Sequence, residues 1–236
     1  MIHRGAPRRK DSAPVKPRPA SGRVRVRRLE RLAVYDFARI HAILDAMPVA
    51  TIGCIFRGSP LVTPTLQWRE GNVVYWHGSA ASRMLDAAGG AEVCLNVTLI
   101  DGMVLARSAF NHAMNYRSVT LFGRAERVAD VDEKRARLQA FMEQRFPSRW
   151  ETLRPLKARE LKATTILSLP IREASAKVRS GPPREPAADL SWPVWAGEIP
   201  IELRSLAPIA DLNSIEKIVP PHVGHFKIGQ ARGIGR

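Results

Sequence analysis

From Val49 onward the apolar residues change period, and this most limits what the chain can fold into. Val49 to Phe56 is a continuous β-prone run. Arg57-Gly58-Ser59-Pro60 then turns the chain, Leu61 to Trp68 runs back, Glu70-Gly71-Asn72 turns it again, and Val73 to His77 follows. Strand-length runs joined by such short connections make an antiparallel meander, because parallel strands need a crossover of a dozen or more residues. Pro64 cannot donate to a ladder, so it marks an edge, bulge or bend in the second strand.

The rest of the chain extends this pattern. Asp36 caps a helix through Ile40, Ile43, Leu44 and Met47, stopped by Pro48. Ser79 to Ala88 reads as helical and ends at Gly89-Gly90. Glu92 to Ile100 reads as a strand, Asp101-Gly102 as a hairpin turn and Met103 to Ala109 as the returning strand. Tyr116 to Val128 is a long strand bent at Gly123. Asp130 or Asp132 opens a helix with Leu138, Phe141 and Met142 inward, closed by Phe146-Pro147. A short helix within 150–162, a strand over Ala163 to Leu169 and a last one over Trp195 to Leu203 complete the reading. Many strands with few helices give a mainly β, α+β architecture: an antiparallel barrel with peripheral helices.

Charge divides the chain. The first 28 residues carry ten Lys or Arg against one acid, so this segment holds +9 of the net +15. Residues 1–22, rich in Pro and Arg and without periodicity, read as a disordered basic arm. The arm has no aromatic residue to stack on bases, so it reads as a solvated tail more than as a nucleic-acid contact. Residues 23–204 form the folded domain and 205–236 a C-terminal tail. No apolar run is long enough to span a membrane and no secretory signal is visible, which points to the cytoplasm. Cys54 and Cys94, each inside an apolar run, read as free thiols.

Two motifs carry chemistry. Trp76-His77-Gly78-Ser79-Ala80-Ala81-Ser82-Arg83 ends a strand and starts a helix, offering hydroxyls, amides and a guanidinium to an anion. Phe110 to Val119 clusters polar, aromatic and basic groups before a strand, suited to a planar heterocycle. His77 and His112 lack partners at zinc-ligand spacing, so no metal site is expected. Neither GxSxG nor HExxH occurs, which leaves hydrolase mechanisms without support.

In this order these motifs resemble the pyridoxamine 5′-phosphate oxidase-like FMN-binding split barrels, in particular the flavin-nucleotide-binding group containing the nitroimidazole resistance (Nim) proteins. Val104 to Ser108, Met114 to Val119, Glu173 to Pro183 and Val194-Trp195-Ala196-Gly197 share in the resemblance. It implies a six-stranded split barrel and a homodimer with FMN at the interface. It implies cofactor contacts from Thr63, Thr65, Gln67, Trp68, Trp76, His77, Ser79, Ser82, Arg83, Arg117 and Ser118, with Trp195 reaching across from the partner. Ala50-Thr51 and Asn111 stand where many Nim-like relatives carry histidines, which leaves His112 as the expected catalytic proton donor. The activity implied is FMN-dependent redox chemistry on a small molecule such as a nitro-aromatic. The alternatives are a flavin- or haem-binding protein without turnover, with His77 or His112 as the haem ligand, and a pyridoxamine phosphate oxidase-type activity. Deazaflavin in place of FMN is a further alternative.

Overall fold

The computed structural model describes residues 17–230. Ten strands form one antiparallel sheet in the order β1-β9-β6-β5-β2-β3-β4-β8-β7, with β10 added on β5. Their ranges are β1 Ala33–Val34, β2 Val49–Phe56, β3 Ser59–Glu70, β4 Val73–Ser79, β5 Glu92–Leu105, β6 Ala113–Arg124, β7 Glu126–Arg127, β8 Thr164–Pro170, β9 Glu173–Arg179 and β10 Gly197–Pro200. The expected split-barrel class holds, with ten strands instead of six: β1 and β7 are two-residue additions and β10 is four residues long.

β3 is where the barrel splits. Its first half pairs with β2 from Ser59 to Leu66, and only Gln67 to Glu70 pair with β4. Pro64 sits in the half with one neighbour, so its missing donor costs no ladder bond on the β4 side. β9 (EASAKVR) carries little strand signal in its sequence, because its alternating inward residues, Ala174, Ala176 and Val178, are small and its outward ones polar.

Asp101-Gly102 is not a turn. β5 runs through it as one 14-residue strand with a bulge between Ile100 and Gly102. Gly102 is needed there because β10 comes so close: a Cβ would lie 2.9 Å from the Ile199 carbonyl oxygen. Arg117 grips Asp101 with two bonds of 2.8 and 2.7 Å, fixing the bulge.

Helix α1 (Phe37–Ala46) plugs one side of the barrel. Asp36 caps it by accepting from the Arg39 amide at 2.9 Å. Its apolar stripe buries Ile40, Ile43 and Leu44 fully against Ile52, Leu95, Leu121, Trp76 and Leu169. Each such side chain contributes on the order of 1.5–3 kcal/mol. Helix α2 (Arg83–Ala88) starts later than the sequence suggested, because Ser82 is its cap and accepts from the Leu85 amide. Helix α3 (Val131–Arg145) buries no residue completely, and Leu138 and Phe141 lie over a second, smaller cluster of Trp68, Tyr75, Val128 and Ile166. Helix α4 (Ala158–Ala163) leads into β8.

The outward face of β2 and β3 is unusually apolar. Opposed pairs Val49–Leu66, Gly53–Val62 and Ile55–Pro60 all lie on it, with Ile55 and Val62 60% and 65% exposed. The expected basic arm lies mostly outside the described residues. At its end Arg23 pairs with Glu92 and Glu173, and Val24 is buried. The C-terminal tail is not loose throughout: Phe226 stacks on Phe146 and the Gly229 amide donates to the Ala46 carbonyl. Among the described residues no helix is long and apolar enough to cross a membrane.

Candidate functional site

The β2–β3 turn and the start of α2 build a cationic pocket. Arg57 and Gly58 both adopt positive φ, 51° and 80°, so the hairpin turns on two residues with the twist its strands need. The turn swings Arg57 back over Phe56, with its guanidinium 5.1 Å from the ring centroid. The Arg83 guanidinium approaches the same ring, at 5.9 Å. Between them lies a cavity of about 320 Å³ lined by Phe56, Arg57, Ala80, Ala81, Ser82, Arg83 and Asp86. Asp86 is turned to Arg127, and among the described residues neither Arg57 nor Arg83 has a carboxylate partner. Two uncompensated guanidiniums on an aromatic shelf suit a phosphate or diphosphate.

This differs in part from what the motif suggested. Ser82 and Arg83 do meet at the pocket, while Ser79 stands outside its lining and accepts from the Ala81 amide. The amides of Ala80, Ala81 and Ser82 are already spent on Ala163, on the Ser79 hydroxyl and on the Ser79 carbonyl. The second cation, Arg57, reads in the sequence only as a turn residue. Only the β2–β3 register and the packing of α2 on β2 bring it beside Arg83.

The other expected residues fall into three groups. Thr63 and Thr65 are half-buried on β3, and the Thr65 hydroxyl donates to the His77 carbonyl at 3.4 Å. Gln67, Trp68 and Trp76 are wholly buried. The Gln67 amide donates to the Leu44 and Met47 carbonyls at 2.7 and 2.6 Å, tying α1 to β3. Trp68 stacks on Tyr75 and donates to Glu70 at 3.0 Å. Trp76 faces the core, and its indole N–H has no partner. At 0% exposure none of these three presents a surface to a ligand within the single chain.

Arg117, Ser118, His112 and Trp195 lie elsewhere. Arg117 is held by Asp101 and donates to the Gly229 carbonyl at 3.0 Å, so its charge is satisfied internally. Ser118 is half-buried on the outward sheet face opposite Thr98. His112 is exposed, with its Nδ1 at 2.9 Å from the Ser108 carbonyl. Trp195 is 64% exposed beside Gly197, which pairs with Leu105. Leu105 and Cys94, the residue opposite Gly53, are 11 positions apart on β5, roughly 35 Å for an extended strand. Within one chain, His112 and Trp195 are therefore far from the Arg57–Arg83 pocket.

His77 occupies a different environment. It lies on β4 between Trp68 and Phe141, with ring centroids 5.7 and 5.6 Å away. Its Nδ1 is buried without a partner, and burial lowers its pKa below the usual 6.5. The imidazole is neutral at pH 7. Protonation favours the unfolded chain, where His77 titrates normally, so stability is full above about pH 6.5 and falls as the pH drops below it. His77→Phe is expected to flatten the decline of Tm between pH 7.5 and 5.5. Superimposable profiles for the two proteins would show that His77 does not carry it. Among the described residues no group of three His, Cys, Asp or Glu could hold a bare metal ion.

The family model described as pyridoxamine 5′-phosphate oxidase matches residues 36–178. Among solved structures, the chain is similar to the flavocytochrome Anf3 from Azotobacter vinelandii: 46% identity, 90% of this chain and 100% of that one covered, TM-score 0.87. It is similar to the FAD and haem binding protein from Mycobacterium smegmatis, at 34% identity over 83% of this chain and 97% of that one, TM-score 0.78. A protein from Bacteroides thetaiotaomicron assigned to 5-nitroimidazole antibiotic resistance shares the fold at 21% identity, covering 62% of this chain and 86% of that one, TM-score 0.51. No curated protein matches the chain.

Proposed function

This chain belongs to the pyridoxamine 5′-phosphate oxidase family, and from that premise we propose that it is a redox protein binding a flavin nucleotide and a haem. The observation that carries the reading is the 46% identity with a flavocytochrome over that protein's whole length. The flavin expected from sequence was FMN. The relative that binds FAD and haem is 34% identical, so FAD is the form proposed, its diphosphate lying between Arg57 and Arg83.

The residues present fit both groups. The cavity at Phe56 supplies two unpaired guanidiniums for phosphate charge. Thr63 and Thr65, half-buried on the opposite side of β3 from Val62 and Leu66, are the β3 side chains proposed to line the ring. His77, neutral and with an unpartnered ring nitrogen, is the candidate haem ligand; its walls, Trp68 and Phe141, are apolar as a porphyrin requires. When bound, a flavin can take two electrons and pass them singly, and a haem accepts one at a time. The protein's part is to fix the phosphates, keep His77 uncharged and exclude water from its ring. A nitro-aromatic substrate and His112 as proton donor belong to the same proposal as finer expectations. A twofold dimer belongs to the same proposal, since His112 and Trp195 can approach a flavin only from a second copy.

The test is spectroscopic. Purified protein, reconstituted with FAD and haemin, is expected to show flavin bands near a Soret band, with FAD identified by mass after release. His77→Ala is expected to lose the Soret band and His112→Ala to keep it. Protein that binds neither flavin nor haem would refute the reading, and loss of the Soret band in His112→Ala instead would move the ligand.

A further inference from the structure

Residues 202–228 leave the barrel and return to it through a closed neck. At the base Gly229, at φ 80°, packs so tightly that a Cβ would lie 2.7 Å from the Leu203 carbonyl oxygen. Its amide donates to Ala46 at 2.8 Å and its carbonyl accepts from Arg117 at 3.0 Å. One step outward the Ser205 hydroxyl donates to the Phe226 carbonyl at 2.7 Å, and Phe226 stacks on Phe146 with centroids 5.2 Å apart.

Beyond the neck the loop carries an aliphatic residue at every third position. Leu206, Ile209, Leu212, Ile215 and Ile218 are 78–99% exposed. The loop has its own internal shape: the Ser214 amide donates to the Asp211 carbonyl at 3.0 Å, and the Ile218 amide to the Glu216 carboxylate at 2.9 Å. With the neck closed and the turn formed, these five side chains stand exposed and do not cover their own barrel.

We propose that this loop is an exchange arm that docks on the outward β2–β3 face of a second copy of the same chain. It rests on the dimer of the proposed function and adds the element that holds it. One chain displays two unpartnered apolar surfaces, the arm and the Ile55–Val62–Leu66 face. In a twofold pair, each patch that meets a different patch is met in return, so the two surfaces cover each other twice. Five aliphatic side chains expose on the order of 60–120 Å² each at the usual transfer coefficient, a large share of the ~800 Å² per partner in a stable interface. A membrane fits less well. Residues 206–219 hold Asp211, Glu216 and a single cation, Lys217, and no aromatic residue, where lipid-surface segments favour cations and aromatic anchors.

The test uses the full chain. Ile209→Ser, Leu212→Ser and Ile215→Ser combined touch only fully exposed side chains, so the fold survives. The dimer dissociation constant by sedimentation equilibrium is expected to rise at least about 100-fold, with flavin binding by the remaining protomers still measurable. In a second variant, Leu212→Cys with Val62→Cys is expected to give a disulfide-linked dimer under mild oxidation, mapped by mass. An unchanged dimer in the triple variant, or no 62–212 link, overturns the arm while leaving the dimer standing. A wild-type chain that is monomeric with flavin bound overturns both. Binding to neutral phosphatidylcholine vesicles that the triple substitution abolishes overturns it in favour of a membrane.

Discussion

Changing Arg57 and Arg83 together to Gln is expected to weaken flavin binding by about 10²–10⁴-fold. Each guanidinium can give charge-assisted bonds to a phosphate, worth roughly 1.5–3 kcal/mol apiece. Two together reach about 3–6 kcal/mol, and each 1.36 kcal/mol is tenfold. Both side chains are exposed and neither is in an ion pair among the described residues, so the substitutions leave the barrel intact. Gln removes the charge and keeps an amide donor on a shorter side chain, and because both arginines are exposed the loss reports charge and reach more than packing. The single variants are expected to lose about 10–100-fold each. Raising salt should weaken the wild type more than the double variant, since screening acts on the charges removed. Quenching of flavin fluorescence on titration into apoprotein measures all of this. A double variant within threefold of the wild type would place the phosphates elsewhere.

That pocket marks where the sequence stopped being legible. The meander from Val49 to His77 could be read because alternation and turn residues are local signals, and the structure keeps its strands to within two residues. The Asp36 cap and the end of the Ser79–Ala88 helix at Gly89-Gly90 are legible for the same reason, though that helix begins only at Arg83. β9 and the continuous β5 are not. β9's inward positions are small, and Asp101-Gly102 carries the dipeptide of a turn while serving a bulge pressed against β10. Among site residues, Ser82 and Arg83 are neighbours in sequence and share the pocket. Arg57 is 26 positions away from Arg83 and reaches it only through the register of β2 with β3 and the seat of α2. Gln67, Trp68 and Trp76 have the composition of a stacking wall, yet the pleat turns them inward. Strand alternation would have separated Gln67 from Trp68, but both are buried because β3 passes from one half of the split barrel to the other there.

Trp76 is the position where a single substitution should cost most stability, and two replacements separate packing from polarity. The indole is wholly buried in the main cluster with Leu85, Leu167 and Leu169. Trp76→Ala removes the largest side chain there and leaves a cavity, which typically costs about 3–5 kcal/mol. For a chain of this size Tm falls roughly 2–4 °C per kcal/mol, so a drop of about 6–20 °C is expected. Trp76→Phe should behave differently. The indole N–H has no hydrogen-bond partner, and an unsatisfied buried donor costs about 1–3 kcal/mol. Phe sheds that penalty while giving up part of the ring, so the two effects largely offset and Tm should move by only a few degrees. Calorimetry on both variants decides the matter. If Trp76→Phe destabilises as much as Trp76→Ala, the N–H is satisfied by an internal water and the core is wetter there than its lining implies. Because Trp76 lies in β4 two residues before Gly78, against which Leu85 of α2 packs, the Ala variant should also loosen α2. Flavin affinity, measured well below its Tm, should then fall in Trp76→Ala and hold in Trp76→Phe, linking the barrel core to the Arg83 side of the pocket.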